Sequence, residues 1–142
     1  MIRPALASDL DAIVAMGARF ITETPYRWIA LNPAQLRETA GWLLSSPDRV
    51  ILVSERGGAL VGMIGLACYP HPFSGERIAG ELFWWVEPEH RGGGVRLLKA
   101  AEVWAKAAGA RRLQMVAPSP AVADMYRRLG FAEVEQNFDR EL

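Results

Sequence analysis

The sequence predicts an α/β (α+β) single domain over residues 1–142: a mixed β-sheet with helices on both faces, in the order β-α-α-β-β-β-α-β-α-β. Three observations lead to that class. Apolar residues recur at three- and four-residue steps, the mark of amphipathic helices. Two runs rich in Val, Ile and Leu flank Gly57-Gly58, the mark of a hairpin with a tight permissive turn. Late in the chain a strand, a glycine loop, a helix and another strand follow one another, and such a crossover requires at least one parallel pair.

The elements follow in order. Ile2 to Pro4 is a short strand, after which Ser8 is placed to cap a helix with Asp11 as the third residue of a capping box. Leu10, Ile13, Val14, Gly17, Phe20 and Ile21 form the stripe of that helix. The stretch ETPYRWIAL carries Pro25 and no period, and Asn32-Pro33 then supply the cap and first turn of a second helix ending near Ser46-Pro47. Val50 to Ser54 and Leu60 to Cys68 are the hairpin strands, and PHPFSGERIAG, residues 70–80, reads as a long loop. The near-continuous apolar run ELFWWV fits a central strand buried on both faces, and Pro88 stops it. Leu97, Leu98, Ala101, Trp104, Ala105 and Ala108 keep helical spacing up to Gly109. Arg111 to Ala117 is a further strand, Ser119-Pro120 open a short helix that Gly130 ends, and Phe131 to Phe138 is the last strand.

Composition excludes several function classes. Lys plus Arg equals Asp plus Glu at 16 each, so no global field draws the chain to nucleic acid or acidic lipid. A single Cys68 makes no internal disulfide and no paired-cysteine metal spacing, which points to a reducing cytoplasm and to no metal. The opening MIRPALASDLD lacks the layout of a signal peptide, and the longest apolar run, ALVGMIGLACY, is too short and too glycine-rich to span a bilayer. A cytoplasmic protein without membrane or nucleic-acid partners is the expectation.

The stretch EHRGGGVRLL, residues 89–98, sets three glycines between a strand and a helix. A helix start leaves backbone N–H groups free at the positive end of its dipole, and glycine lets an anion approach them without a Cβ in the way. Arg91 and Arg96 flank the turn with charge suited to a pyrophosphate. The other reading is a simple strand-to-helix turn that needs positive φ. Two familiar phosphate loops do not fit: Lys and Ser/Thr do not follow the glycines, and Leu97 stands where a dinucleotide fingerprint needs Gly or Ala.

VEPEHRGGGVRLL resembles the V-x-P-x-x-R-G-x-G-[IV] motif of the GNAT-type acyl-CoA N-acyltransferases, and SPAVADMYRRLGF resembles their second signature, with Met125-Tyr126 and Gly130-Phe131 at matching positions. The element order extends the resemblance over essentially the whole chain. It implies an acetyl-CoA cosubstrate, its pyrophosphate on Arg91, Gly92, Gly93, Gly94, Val95 and Arg96 and its pantetheine arm along the backbone of Trp84 and Val86. Arg96 stands at a Gly/Ala position of the motif and Leu97-Leu98 follow at once, so the loop is two residues shorter than usual; Ser119 replaces an Asn and is either a cofactor contact or only an N-cap.

Acyl transfer to an amine needs a neutral nucleophile, stabilisation of an oxyanion and a proton for the departing thiolate. A lysine-type amine, pKa about 10.4, must lose a proton near neutral pH. Glu81 is the candidate base, or else a solvated carboxylate at a strand end. It lies one residue nearer the valine than the family's glutamate, which in a regular strand turns it to the opposite face; only a bulge would restore it. The Val86 N–H is the candidate oxyanion donor. Tyr126 is the candidate proton donor or sulfur hydrogen-bond donor, or else one member of the stripe Val122, Met125, Tyr126 and Leu129. Tyr26, Trp28 and Phe73 lie where this architecture meets its acceptor, or pack on a core edge; Cys68 reads as an inert core thiol. The expected activity is N-acetylation of a primary amine, on a small molecule or a protein, by direct attack in a ternary complex. The alternative is a catalytically weak acyl-CoA-binding regulatory module. An exposed terminal strand leaves a homodimer open.

Overall fold

The computed structural model describes the backbone of residues 1–142 and every side chain but that of Arg27. Five strands, β1 (Ile2–Pro4), β2 (Arg49–Arg56), β3 (Ala59–Pro70), β4 (Arg77–Val86) and β5 (Arg112–Gln114), lie side by side in chain order. The first four are antiparallel neighbours and β5 runs parallel to β4, as the crossover demands. Helices α1 (Leu10–Glu23) and α2 (Pro33–Leu44) cover one face; α3 (Gly94–Ala107) and α4 (Pro120–Arg128) belong to the other.

Strand alternation divides the core. Ile51 and Val53 of β2, Met63 of β3, and Phe83 and Trp85 of β4 pack with Ile13 and Met16 of α1 and Leu43 of α2. Their neighbours Val50, Leu52, Ile64 and Leu66 turn to the opposite side, against Leu97 and Ala101 of α3, with Trp84, Val86 and Leu113 at the margin. Each fully buried aliphatic side chain contributes about 1.5–3 kcal/mol, so both faces of the three central strands are needed to hold the sheet.

Several ends are set locally. Asn32 Oδ1 accepts the Gln35 N–H at 3.1 Å, and Ser119 Oγ accepts the Val122 N–H at 3.3 Å, each ahead of a proline in the first turn. The β2–β3 turn places Gly57 at φ 57° and Gly58 at φ 80°, the pair of left-handed residues that matches strand twist. Gly58→Ala is therefore expected to cost about 1 kcal/mol in a denaturant titration, whereas Gly57→Asn should be nearly neutral.

Four expectations are corrected. Ser8 does not cap α1: residues Ala7–Asp9 form a 3-10 turn, and the Asp9 carboxylate reaches back to the Leu6 N–H at 2.8 Å while pairing with Arg3. The loop expected over residues 70–80 is shorter, because Arg77 to Gly80 pair with Pro70 to Ala67 and leave only 71–76 as connection. The strand expected over Arg111 to Ala117 is paired only from Arg112 to Gln114. The last strand does not form: beyond Phe131 every residue is exposed, including Val134 and Phe138. An alternating run becomes a strand only where a neighbour offers a ladder, and β5 offers three residues.

Candidate active site

The β4–β5 ladder ends at Gly80 opposite Gln114, whereas β4 stays paired to β3 as far as Val86 opposite Gly62. Residues 81–86 therefore keep one backbone edge uncovered by β5, and the chain from Met115 to Ser119 runs on without a ladder. The two strands open into a wedge.

At its apex β4 carries a bulge. Glu81 pairs with Leu66 and Phe83 with Gly65, so Leu82 is the extra residue between them and stands 45% exposed. The inserted residue reverses the alternation: Glu81 faces the same side as Trp84 and Val86, because its partner Leu66 shares a face with Ile64, the partner of Trp84. The Glu81 carboxylate, Oε2, accepts the Val116 N–H at 2.9 Å. Burial pushes its pKa up to about 7, although the hydrogen bond from Val116 pulls it down.

Tyr126, from α4, reaches the same place. Its ring is 6% exposed and stacks on Trp84 at 6.0 Å between centroids, with Phe131 on its other flank at 5.3 Å. Its hydroxyl donates to Val116 O at 3.1 Å. Burial and, second, the charge of Glu81 hold the phenol protonated well above its ordinary range. Nothing in the sequence singled out Val116 or Leu82; a bulge and a residue just past a ladder leave no periodic signal. The Trp84 indole N–H is buried and has no acceptor among the described residues.

The glycine loop is wound as a 3-10 turn, Pro88–Gly93, running straight into α3. Gly93 has φ −85° and Gly94 φ −59°, and no residue here has positive φ, so these glycines do not serve a left-handed turn. A Cβ on Gly92 or Gly93 would meet nothing within 4 Å, whereas one on Gly94 would lie 3.3 Å from Trp84 Cζ2. Not every amide there is free: His90 N–H donates to Glu87 O, and Gly94 N–H to Arg91 O. Val95 is half-buried behind the loop and Arg96 is exposed. Arg91 leans toward α1, over the Trp85 ring at 5.5 Å and 3.8 Å from Glu23.

The family model described as acetyltransferase (GNAT) matches residues 15–131. The chain belongs to the GNAT acetyltransferase family. No curated protein sequence matches it. Among solved structures, a transcriptional regulator from Bacillus halodurans C-125 is 20% identical with TM-score 0.82, covering 100% of this chain and 99% of that one. A ribosomal-protein-alanine N-acetyltransferase from Brucella melitensis biovar Abortus 2308 is 18% identical, TM-score 0.77, with 100% and 98% covered. A predicted acetyltransferase from Clostridium acetobutylicum, solved with acetyl-CoA, is 19% identical, TM-score 0.81, with 99% and 95% covered. At these identities the likeness is one of fold.

The remaining groups of this GNAT chain stand apart from the wedge chemistry. Burial raises the Cys68 thiol, which keeps it protonated and unreactive. Tyr26 stacks on Phe20 at 5.8 Å as part of the core edge, whereas Trp28 is 59% and Phe73 95% exposed. Ser119 Oγ accepts the Val122 N–H as the α4 cap and keeps its own O–H to donate. Arg111 and Arg112 pair with Glu76, and Arg127 with Asp124 and Glu133. A cavity of about 430 Å³ between α1 and the β2–β3 turn contains none of the candidate residues, and its Arg3, Asp9 and Glu55 satisfy one another. Among the described residues no three His, Cys, Asp or Glu side chains gather as a metal site, and no helix is long and apolar enough to cross a membrane.

Proposed function

We propose that this chain moves an acetyl group from acetyl-CoA to a primary amine, on a small molecule or a protein, by direct attack in a ternary complex. The observation that carries the reading is the wedge between β4 and β5, with a half-buried carboxyl of pKa about 7 and a buried tyrosine meeting at its apex. Acetyl-CoA supplies an acetyl group activated as a thioester. The uncovered edge of β4, with Trp84 and Val86, is the proposed seat of the pantetheine arm. The open space over Gly92 and Gly93 fits close approach of a diphosphate to Gly92, Gly93 and Val95, with charge from Arg91 and Arg96. Arg91 gives up little to join it, since an exposed pair such as that with Glu23 at 3.8 Å is worth under about 1 kcal/mol.

Glu81 acts as the base. A group with pKa about 7 is ionised in part at neutral pH and still basic enough to take a proton from an ammonium. With Oε2 held by Val116, Oε1 is left to accept that proton. The Val86 N–H is the proposed donor to the oxygen on which charge develops. Tyr126 serves the departing sulfur as a hydrogen-bond donor by turning its single O–H from Val116 O to the sulfur, and a phenol held above its usual pKa keeps that proton.

Free thiol release from acetyl-CoA with a panel of amines tests the reading. Tyr126→Phe is expected to lower kcat about tenfold or more and stability by about 1 kcal/mol, the worth of the bond to Val116. The second reading, an acyl-CoA-binding module without turnover, draws on the commitment of the Tyr126 hydroxyl to Val116 O. A melting-point rise with acetyl-CoA and no thiol release would select it.

A further inference from the structure

Extending the β4–β5 register beyond Gly80 opposite Gln114 would set Val116 against Leu82. Leu82 is the bulged residue, so no regular ladder position remains there for Val116. Backbone groups that lose a ladder need other partners. Val116 finds them in two side chains: its N–H donates to Glu81 Oε2 at 2.9 Å, and its C=O accepts from Tyr126 Oη at 3.1 Å. We propose that Val116 is a positioning residue, whose main-chain N–H and C=O orient the two side chains on which the reaction depends and join them into one unit. This inference rests on the function proposed above for Glu81 and Tyr126.

The consequences are specific. The Val116 N–H pins one carboxylate oxygen of Glu81 and leaves the other as the acceptor, and it favours the charged form that a base needs. The Val116 C=O holds the Tyr126 hydroxyl beside the Trp84 ring until its single O–H turns to the arriving sulfur. Because one residue carries both bonds, any displacement of Val116 as the wedge fills moves both groups together. The surroundings of Glu81 contain few competing charges. Tyr126 faces it from α4, Leu66 from β3 and Trp84 from β4; the next phenol, Tyr69 of β3, is engaged with Gln114 of β5 at 3.3 Å; and among the described residues no ion pair reaches Glu81.

The test reads the bonds directly in the unsubstituted protein. The Val116 amide proton resonance is expected to shift with pH along the same curve as the Glu81 side-chain carboxyl carbon, and to stop titrating in Glu81→Gln. A Val116 amide indifferent to Glu81 ionisation would overturn the proposal. Val116→Pro removes the N–H and keeps the C=O, and should raise the Glu81 midpoint and the matching limb of the pH–rate profile by about one pH unit; Val116→Ala, which keeps both groups, should retain the original midpoint. Equal midpoints in the folded proline and alanine variants would also count against it. If the resonances track each other but no acetyl transfer is found, the positioning stands and the enzymatic reading falls.

Discussion

Replacing Glu81 with glutamine is expected to slow acetyl transfer about 100-fold or more at pH 8 and, at the same pH, to raise the melting temperature. The first effect is the loss of a positioned base. In the parent protein the rate should fall about tenfold for each pH unit below the Glu81 pKa of about 7 and level off above it, because only the carboxylate can accept the proton. The glutamine variant should lack that limb. The second effect comes from the same burial. Glu81 titrates near 7 in the folded chain against an ordinary value of 4.5, so between those values the native state holds more protons than the unfolded one. Stability from this group therefore decreases as pH rises from 4.5 toward 7, and the cost is complete above 7, at most about 3 kcal/mol. Glutamine carries no charge and can still accept the Val116 N–H. The variant's advantage in melting temperature should grow from pH 5 to pH 8, which calorimetry at the two values reads. A rate limb near pH 7 that survives the substitution would hand the proton to another group.

Gly92→Ala combined with Gly93→Ala should weaken acetyl-CoA binding about 10- to 100-fold without loss of stability. The fold has no objection to the change: a Cβ at either position meets nothing within 4 Å, and the loop needs no positive φ. What the two methyl groups would obstruct is the approach of a charged oxygen to the backbone, and each hydrogen bond to a charged group is worth about 1.5–3 kcal/mol. Titration calorimetry with acetyl-CoA, set beside a thermal melt of the ligand-free variant, separates the two quantities. Unchanged affinity would take the diphosphate off this loop. Gly94 is the poorer probe, since a Cβ there would press on Trp84 at 3.3 Å and mix a packing effect with a binding effect.

These two sites differ in how far they could be read in advance. The glycine loop is a run of neighbours whose chemistry follows from adjacency, and its place between a strand and a helix follows from Pro88 and the stripe of α3. Its winding into a 3-10 turn, which spends the amides of His90 and Gly94, was not visible, because such bonds depend on how the turn is drawn tight between β4 and α3. Glu81 was legible as a carboxylate at the start of an apolar strand, but its face was not. Alternation counted from Val86 turns it away from Trp84, and only the unpaired Leu82 turns it back. Tyr126 was legible from its motif, while its bond to Val116 depends on the approach of α4 to a strand that has left its ladder.

The amino-acid order by itself determined the succession of helices and the three longer strand runs, the caps at Asn32 and Ser119, the left-handed turn at Gly57-Gly58 and the family motifs, since each depends on residues within a few positions of one another. The tertiary structure alone decided where the β4–β5 ladder stops, that Leu82 bulges, that Glu81 and Tyr126 meet at Val116, and that residues 131–142 stay out of the sheet. Those features depend on the partner strand: hydrogen-bond register is a property of two segments, and neither carries it in its own sequence.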